Sequence, residues 1–238
     1  MYQDAAVFTS SDEKGSAMFD PENPPELSVT RWVNSRQPLS LKALKGKVVV
    51  LMAFQMLCPG CVQHGLPQAK KIAEQFSPEE VVVIGLHSVF EHHDVMTPAA
   101  LEAFMHEYSW PFPVAIDAPG GDTGKGLPKT MEAYEMRGTP TVLLFDSAGR
   151  LRRHYFGHVE DIRLAAELMG LSIEDANAPR EASVALERRM HSTLLDPNSH
   201  HGHDHDHGDD CGCGHDHGDH GHDHGHGHDH GHGGHKHK

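Results

Sequence analysis

The first clues in this 238-residue chain are the things it has little of. No segment approaches the roughly 20 consecutive apolar residues that a membrane-spanning helix needs, so no membrane partner is expected. The opening stretch MYQDAAVFTSSDEKGSAMFDPENPPELS carries acids where a secretory leader needs basic residues, and it has no apolar run of leader length. A cytoplasmic setting is therefore the expectation. Positive charge is also short: 20 Lys and Arg stand against 34 Asp and Glu, and a formal net charge of −14 argues against phosphate-backbone binding and a nucleic-acid partner. Cysteine is scarce, four in all, with only Cys58 and Cys61 before residue 200. In a reducing compartment, a C-x-x-C pair of this kind is expected to exchange electrons or hold a metal rather than form a structural disulfide.

What is present divides the chain. From His200 onward, Gly and Asp separate sixteen of the 24 histidines, and eight Asp against two Lys give this stretch −6 of the total charge. Such a composition cannot build a core, and the segment is expected to be disordered without a ligand. The reading is a flexible N-terminal arm over 1–25, a folded α/β domain over 26–172, a helical extension over 173–199 and the tail over 200–238. Within the domain, LSVTRWVN reads as a short strand and LSLKALKG as a helical turn. KVVVLMAF and VVVIGLHS are continuous apolar runs of the kind buried on both faces of a sheet. Helical patterns cover Pro59 to Phe76, with a kink expected at Pro67, then PAALEAFMHEYSW, KTMEAYEM and DIRLAAELMG, the last ending at Gly170. A hairpin turning at Ser147-Ala148-Gly149 closes a mixed sheet. The amphipathic EASVALERRMHSTLL is expected to lay Ala182, Ala185, Leu186, Met190 and Leu194 on one side, covering the domain or pairing with a second copy.

The two thiols sit at a strand-to-helix junction. Unpaired N–H groups and the positive end of the helix dipole favour thiolate there, so Cys58 is placed to attack and Cys61, one turn in, to resolve the mixed disulfide. Structural zinc is the competing use, with His64 as a third ligand, but four-ligand sites usually pair two such motifs and no second C-x-x-C precedes the tail. Inert packing is the remaining alternative.

On these residues the chain resembles the thioredoxin superfamily, and within it the TlpA-like redoxin group of AhpC/TSA type. KVVVLMAFQMLCPGC is similar to that family's strand and dithiol, and RGTPTVLLF, Arg137 to Phe145, to its second signature; the likeness runs from about Leu27 to Leu171. It implies a thioredoxin-like three-layer sandwich, thiol–disulfide oxidoreductase activity and no cofactor for the redox chemistry. It also implies a cis Pro140 facing the thiols and a backbone edge at Thr139 on which an extended substrate segment pairs. A disulfide-containing protein or small molecule would be the substrate and a thiol the electron donor. Two positions depart from the thioredoxin pattern: Met52 replaces the buried Asp six residues before the first cysteine, and Leu57 the Trp just before it. Glu91 offers a substitute acid in the loop after the second apolar strand, against the plainer reading of a solvated side chain.

CPGCVQHGLP also resembles a peroxiredoxin stretch, with Cys61 in the peroxidatic position, Cys58 replacing a threonine, and Arg137 available to an anion. The Thr139-Pro140 pair favours the dithiol branch, leaving thiol peroxidase as the alternative. His87, His92 and His93 gather at the end of the second apolar strand, on the edge where α/β sheets hold ligands, and solvated imidazoles are the commoner outcome there. The tail offers imidazoles at His200, His201, His203, His205, His207, His215, His217, His220, His222, His224, His226, His228, His230, His232, His235 and His237, with soft ligands at Cys211 and Cys213. Zn, Ni, Cu or Co ions all suit this set. The tail resembles those of metallochaperones and nickel-storing proteins, so a metal-storage protein with an accessory redoxin domain is a further alternative.

Overall fold

Seven consecutive apolar residues, Val48–Phe54, can be buried on both faces only if helices cover the sheet from both sides. In the computed structural model, which describes residues 19–177 and 179–193, that segment is strand β2, buried along its whole length near the middle of a six-stranded sheet. The other strands are β1 (Val29–Val33), β3 (Val81–His87), β4 (Val114–Asp117), β5 (Thr141–Phe145) and β6 (Leu151–Phe156), in the order β1-β4-β3-β2-β5-β6. β2 runs parallel to β3, and β3 to β4; β1, β5 and β6 pair antiparallel, giving the mixed sheet. The β5–β6 turn falls at Ser147-Ala148-Gly149, where Gly149 takes a φ of 84° that favours glycine.

The two-residue period of β2 builds two cores. Val48, Val50, Met52 and Phe54 pack with Leu66, Ala69 and Ile72 of α1 (Leu66–Gln75), Leu101 and Met105 of α2 (Pro98–Glu107), and Leu164, Leu168 and Leu171 of α4 (Asp161–Ile173). Val49, Leu51 and Ala53 pack instead with Met131 of α3 (Lys129–Ala133) and with Tyr134 and Met136. A thioredoxin-like fold with helices on both faces of a mixed sheet is the result. Among the described residues, no helix is long and apolar enough to cross a membrane.

Several local expectations change. The helical run begins at Pro59 as expected, and it is distorted ahead of Pro67 by widening rather than broken. Cys61–Gly65 forms a widened turn, closed by the Leu66 N–H donating to the Cys61 carbonyl, and α1 starts after it. Pro67 thus sits directly after the widened turn, which is where the helix accommodates its missing N–H. α4 passes through Gly170 to Ile173 because Leu164, Leu168 and Leu171 keep the buried stripe going beyond the glycine. α3 stops before Tyr134, and Glu135 follows with a φ of 52°.

Of the stripe expected on α5 (Arg180–Thr193), Ala182 and Ala185 are exposed and Leu186 is half-buried, Met190 and Leu194 lie outside the side chains described, and Ser183 is buried. An Arg150 Nη2 donates to Ser183 Oγ at 3.4 Å, so a polar contact seats this helix where an apolar one was expected. Residues 19–25, expected as the end of a flexible arm, are held to the domain. Phe19 packs 5.1 Å from the Tyr134 ring, the Tyr134 hydroxyl donates to the Pro25 carbonyl, and the Leu151 N–H donates to the Pro21 carbonyl at 2.8 Å. The 1–18 part of the arm, Leu194 and the whole of 200–238 lie outside the described residues.

A buried ion cluster ties β6 to the end of α4. Arg152, with a side chain 1% exposed, donates to Asp146 Oδ2 and to Glu174 Oε2, both at 2.8 Å. Arg150 pairs with the same two carboxylates, at 2.7 Å to Asp146 and 3.5 Å to Glu174, so two guanidinium groups balance two carboxylates.

Candidate active site

β2 delivers the chain to the carboxyl edge of the sheet, and Gln55-Met56-Leu57 carry it to Cys58. The turn forms at once: the Cys58 N–H donates to the Gln55 carbonyl at 3.2 Å, and the N–H groups of Cys61 and Val62 both donate to the Cys58 carbonyl at 3.1 Å. Both thiols are free. Cys58 is half-buried, and Cys61 lies beneath it at 0% exposure. The Cys61 N–H points at Cys58 Sγ, 3.2 Å away, and the Cys58 thiol donates to the Thr139 carbonyl oxygen at 3.4 Å.

This arrangement separates the acidities of the two thiols. The Cys61 side chain, hydrogen-bonded to Cys58, is the main reason that Cys58 falls from 9.0 to about 6. Partial burial opposes that fall, while Thr139 and the backbone N–H groups of Cys61 and Gly60 add to it. The same hydrogen bond, followed by burial, pushes Cys61 far above the ordinary thiol range. One sulfur is thus prepared as a thiolate at neutral pH, and the other holds its proton.

The Thr139–Pro140 bond is cis. The proline ring comes so near the thiol-bearing turn that a Cβ on Gly60 would stand 3.3 Å from Pro140 Cδ, and one on Gly65 3.2 Å from Pro140 Cβ. The Gly157 N–H donates to the Pro140 carbonyl at 2.8 Å and the Thr141 hydroxyl to the Gly138 carbonyl at 2.7 Å, fixing the loop from both sides. Cys58, Cys61, Thr139 and Pro140 therefore meet in one place. Met52 is fully buried below them, its Sδ 3.1 Å from a Cβ built on Gly65, so the floor is apolar. Leu57, beside the outer thiol, is 57% exposed.

Other candidates fall elsewhere. Glu91 and His92 are exposed, and His93 is half-buried. His87 is buried beside Phe54, with ring centroids 5.3 Å apart, and burial lowers its pKa to about 4, so it remains neutral inside the sheet edge. Among the described residues no group of three or more His, Cys, Asp or Glu side chains is arranged to hold a metal ion. The His87, His92 and His93 alternative and the use of His64 as a third ligand beside the thiols both lack support there. Arg137 is exposed; its charge contributes to the lowered pKa of His154, which is due chiefly to burial. The eighteen tail ligands, His200 to His237 with Cys211 and Cys213, lie outside the described residues.

Reasoning from sequence missed the part played by the backbone. The Cys61 N–H, the Thr139 carbonyl and the two close approaches at Gly60 and Gly65 shape the site, and only the glycines leave any sequence signal. It also missed the contact between the His64 and His158 rings, which no local pattern joins.

A thioredoxin-like fold with a C-x-x-C turn facing a cis proline is a class shared by many redox proteins, and comparison with known proteins narrows it. The Redoxin family model matches residues 22–166, and the chain belongs to the Redoxin family. The crystal structure of a thioredoxin-like superfamily protein is 53% identical, with a TM-score of 0.62 over 65% of this chain and 97% of that one. A thiol-disulfide isomerase from Corynebacterium glutamicum is 50% identical, with a TM-score of 0.61 over 65% of this chain and 98% of that one. NHL repeat-containing protein 2 of Gallus gallus is 38% identical over 98 residues, which is 40% of this chain and only 13% of that longer protein.

Proposed function

We propose that this chain is a thiol–disulfide oxidoreductase of the TlpA-like dithiol branch, working through Cys58 and Cys61 on disulfide-containing proteins or small molecules. One observation carries the reading: a half-exposed Cys58 sulfur that receives the Cys61 N–H at 3.2 Å and has a pKa of about 6. The Cys58 thiolate attacks one sulfur of the substrate disulfide, forming a mixed disulfide and releasing the other sulfur as thiolate. Cys61 then loses its proton and attacks Cys58 Sγ, which frees the second substrate sulfur and leaves a Cys58–Cys61 disulfide for a thiol donor to reduce. The Thr139 backbone beside Pro140 serves as the docking edge. The 50% identity to a protein described as a thiol-disulfide isomerase supports this class of substrate. A peroxidase using Cys61 would need its thiolate from a sulfur at 0% exposure that is pushed far above the ordinary range, which weighs against that alternative.

The tail, in this reading, buffers Zn, Ni, Cu or Co ions on its imidazoles and on Cys211 and Cys213, which supports the redox domain without entering its chemistry. The redox test is capture. Cys61→Ser should accumulate a mixed disulfide between Cys58 and a disulfide-containing protein, and Cys58→Ser should accumulate none. If Cys58→Ser keeps peroxide consumption while Cys61→Ser loses it, the peroxidase assignment replaces this one.

A further inference from the structure

His64 and His158 come from separate segments and meet at the solvent edge of the dithiol. His64 belongs to the widened turn that begins at Cys61, and His158 follows Gly157, whose N–H holds the Pro140 carbonyl. Both side chains are exposed, and their ring centroids lie 5.0 Å apart with planes at 49°. A transition-metal ion sits about 2.0–2.1 Å from an imidazole nitrogen, and the ring centre lies roughly 1.1 Å farther on. Two such rings at about 90–110° around one ion therefore have centroids roughly 4.5–5.2 Å apart. The observed separation falls inside that range.

The surroundings suit a cation. Glu160 Oε1 lies 3.8 Å from His158 Nε2 and adds negative charge beside the pair.

We propose that His64 and His158 form a two-imidazole chelate for a divalent transition-metal ion, open to water on its outer side, at the rim of the dithiol. Imidazole pairs suit Zn²⁺, Ni²⁺ and Cu²⁺. When occupied, the chelate cross-links the turn carrying Cys61 to the loop that anchors Pro140, the two segments between which a substrate would dock. The site stands on the ring geometry alone and does not depend on the redox reading.

The test is carbethoxylation of the full-length protein with diethyl pyrocarbonate at a series of buffered free Zn²⁺ concentrations. Peptide mapping reads His64, His158 and the exposed His106 separately from the tail. At free zinc about nine times the dissociation constant, mass action leaves about one-tenth of the sites empty, so His64 and His158 should lose about tenfold in reactivity at one shared midpoint while His106 is unchanged. In His64→Ala, the protection of His158 should disappear, and in His158→Gln that of His64; both positions are exposed, so neither change threatens the core. If neither histidine is protected at millimolar free zinc, or if His158 is equally protected in His64→Ala, the chelate does not exist.

Discussion

Replacing Cys61 with alanine tests how the outer thiol is activated. At pH 7 a thiol with a pKa of about 6 is roughly 90% thiolate, and one at 9.0 only about 1%. The gain in thiolate is roughly 90-fold. Nucleophilicity falls with basicity along a Brønsted slope of about 0.4–0.5, which removes roughly 15- to 30-fold across this span and leaves a net advantage of about three- to sixfold at neutral pH. Cys61→Ala removes the largest cause of the lowering, the side-chain hydrogen bond, and keeps the backbone N–H groups of residues 60 and 61. The Cys58 midpoint should then rise by about one pH unit or more and stay below 9.0. The assay is the pH dependence of iodoacetamide alkylation, read on the peptide containing Cys58 so that Cys211 and Cys213 do not contribute. The rate should level off above the midpoint and fall about tenfold per pH unit below it as the thiolate takes up a proton. A midpoint of 8 or higher in the native chain, or one that does not move in Cys61→Ala, would refute the proposed activation.

Three further outcomes follow from packing, charge and ligand chemistry. Gly85→Ala would place a Cβ 2.9 Å from Val114 Cγ2 and 3.1 Å from Phe54 Cε1, and should cost about 1–3 kcal/mol in a denaturant melt; a change within about 0.3 kcal/mol would mean the sheet gives way freely. Arg152→Ala leaves Asp146 and Glu174 buried without this guanidinium and should cost about 3–5 kcal/mol, whereas a loss below about 1 kcal/mol would show that Arg150 compensates. The tail should bind several divalent ions per chain, weakening as pH falls through about 6.5 because protonated imidazole cannot ligate. Calorimetry of the intact protein against a chain ending at Ser199 checks this, and equal stoichiometry in both would place the main metal sites in the body.

Strands were the most legible part of the sequence because they report burial directly. KVVVLMAF and VVVIGLHS are short, apolar on both faces and rich in Val, as interior strands require. The meeting of Cys58 with Thr139 and Pro140 was legible only through the resemblance of two separated motifs to one family, since Thr139 stands 81 positions after Cys58. Helix ends were read less well. Gly170 looks like a stop until Leu171 is seen to bury its side chain, and tertiary packing then outweighs glycine's preference for helix ends. α5 was read less well for a related reason: a small polar residue, Ser183, is buried there and accepts from Arg150, and a hydrophobic stripe does not register such a contact.

The apolar floor affects the second half of the proposed cycle. With Met52 fully buried under the thiols, there is no carboxylate at that position to take the Cys61 proton. The acidity of Cys61 depends first on its hydrogen bond with Cys58 and only then on burial. Once Cys58 has bonded to a substrate sulfur, it is no longer an anion that holds the Cys61 proton in place, and the largest cause of the raised pKa is gone. Formation of the mixed disulfide thereby makes the resolving thiol more acidic at the moment it is needed. The leaving substrate thiolate, generated in the first step, is available as a base. Resolution should accordingly be slower for substrates whose released thiol is a weak base and is lost to solvent, and faster for those whose released thiolate stays docked at the Thr139 edge. Single-turnover kinetics of unsymmetrical disulfides that leave the same sulfur on Cys58 and differ only in the first thiol released reads that order with the departing group of the second step held constant, and a resolution rate independent of the first thiol's basicity would show that the released thiolate is not the base.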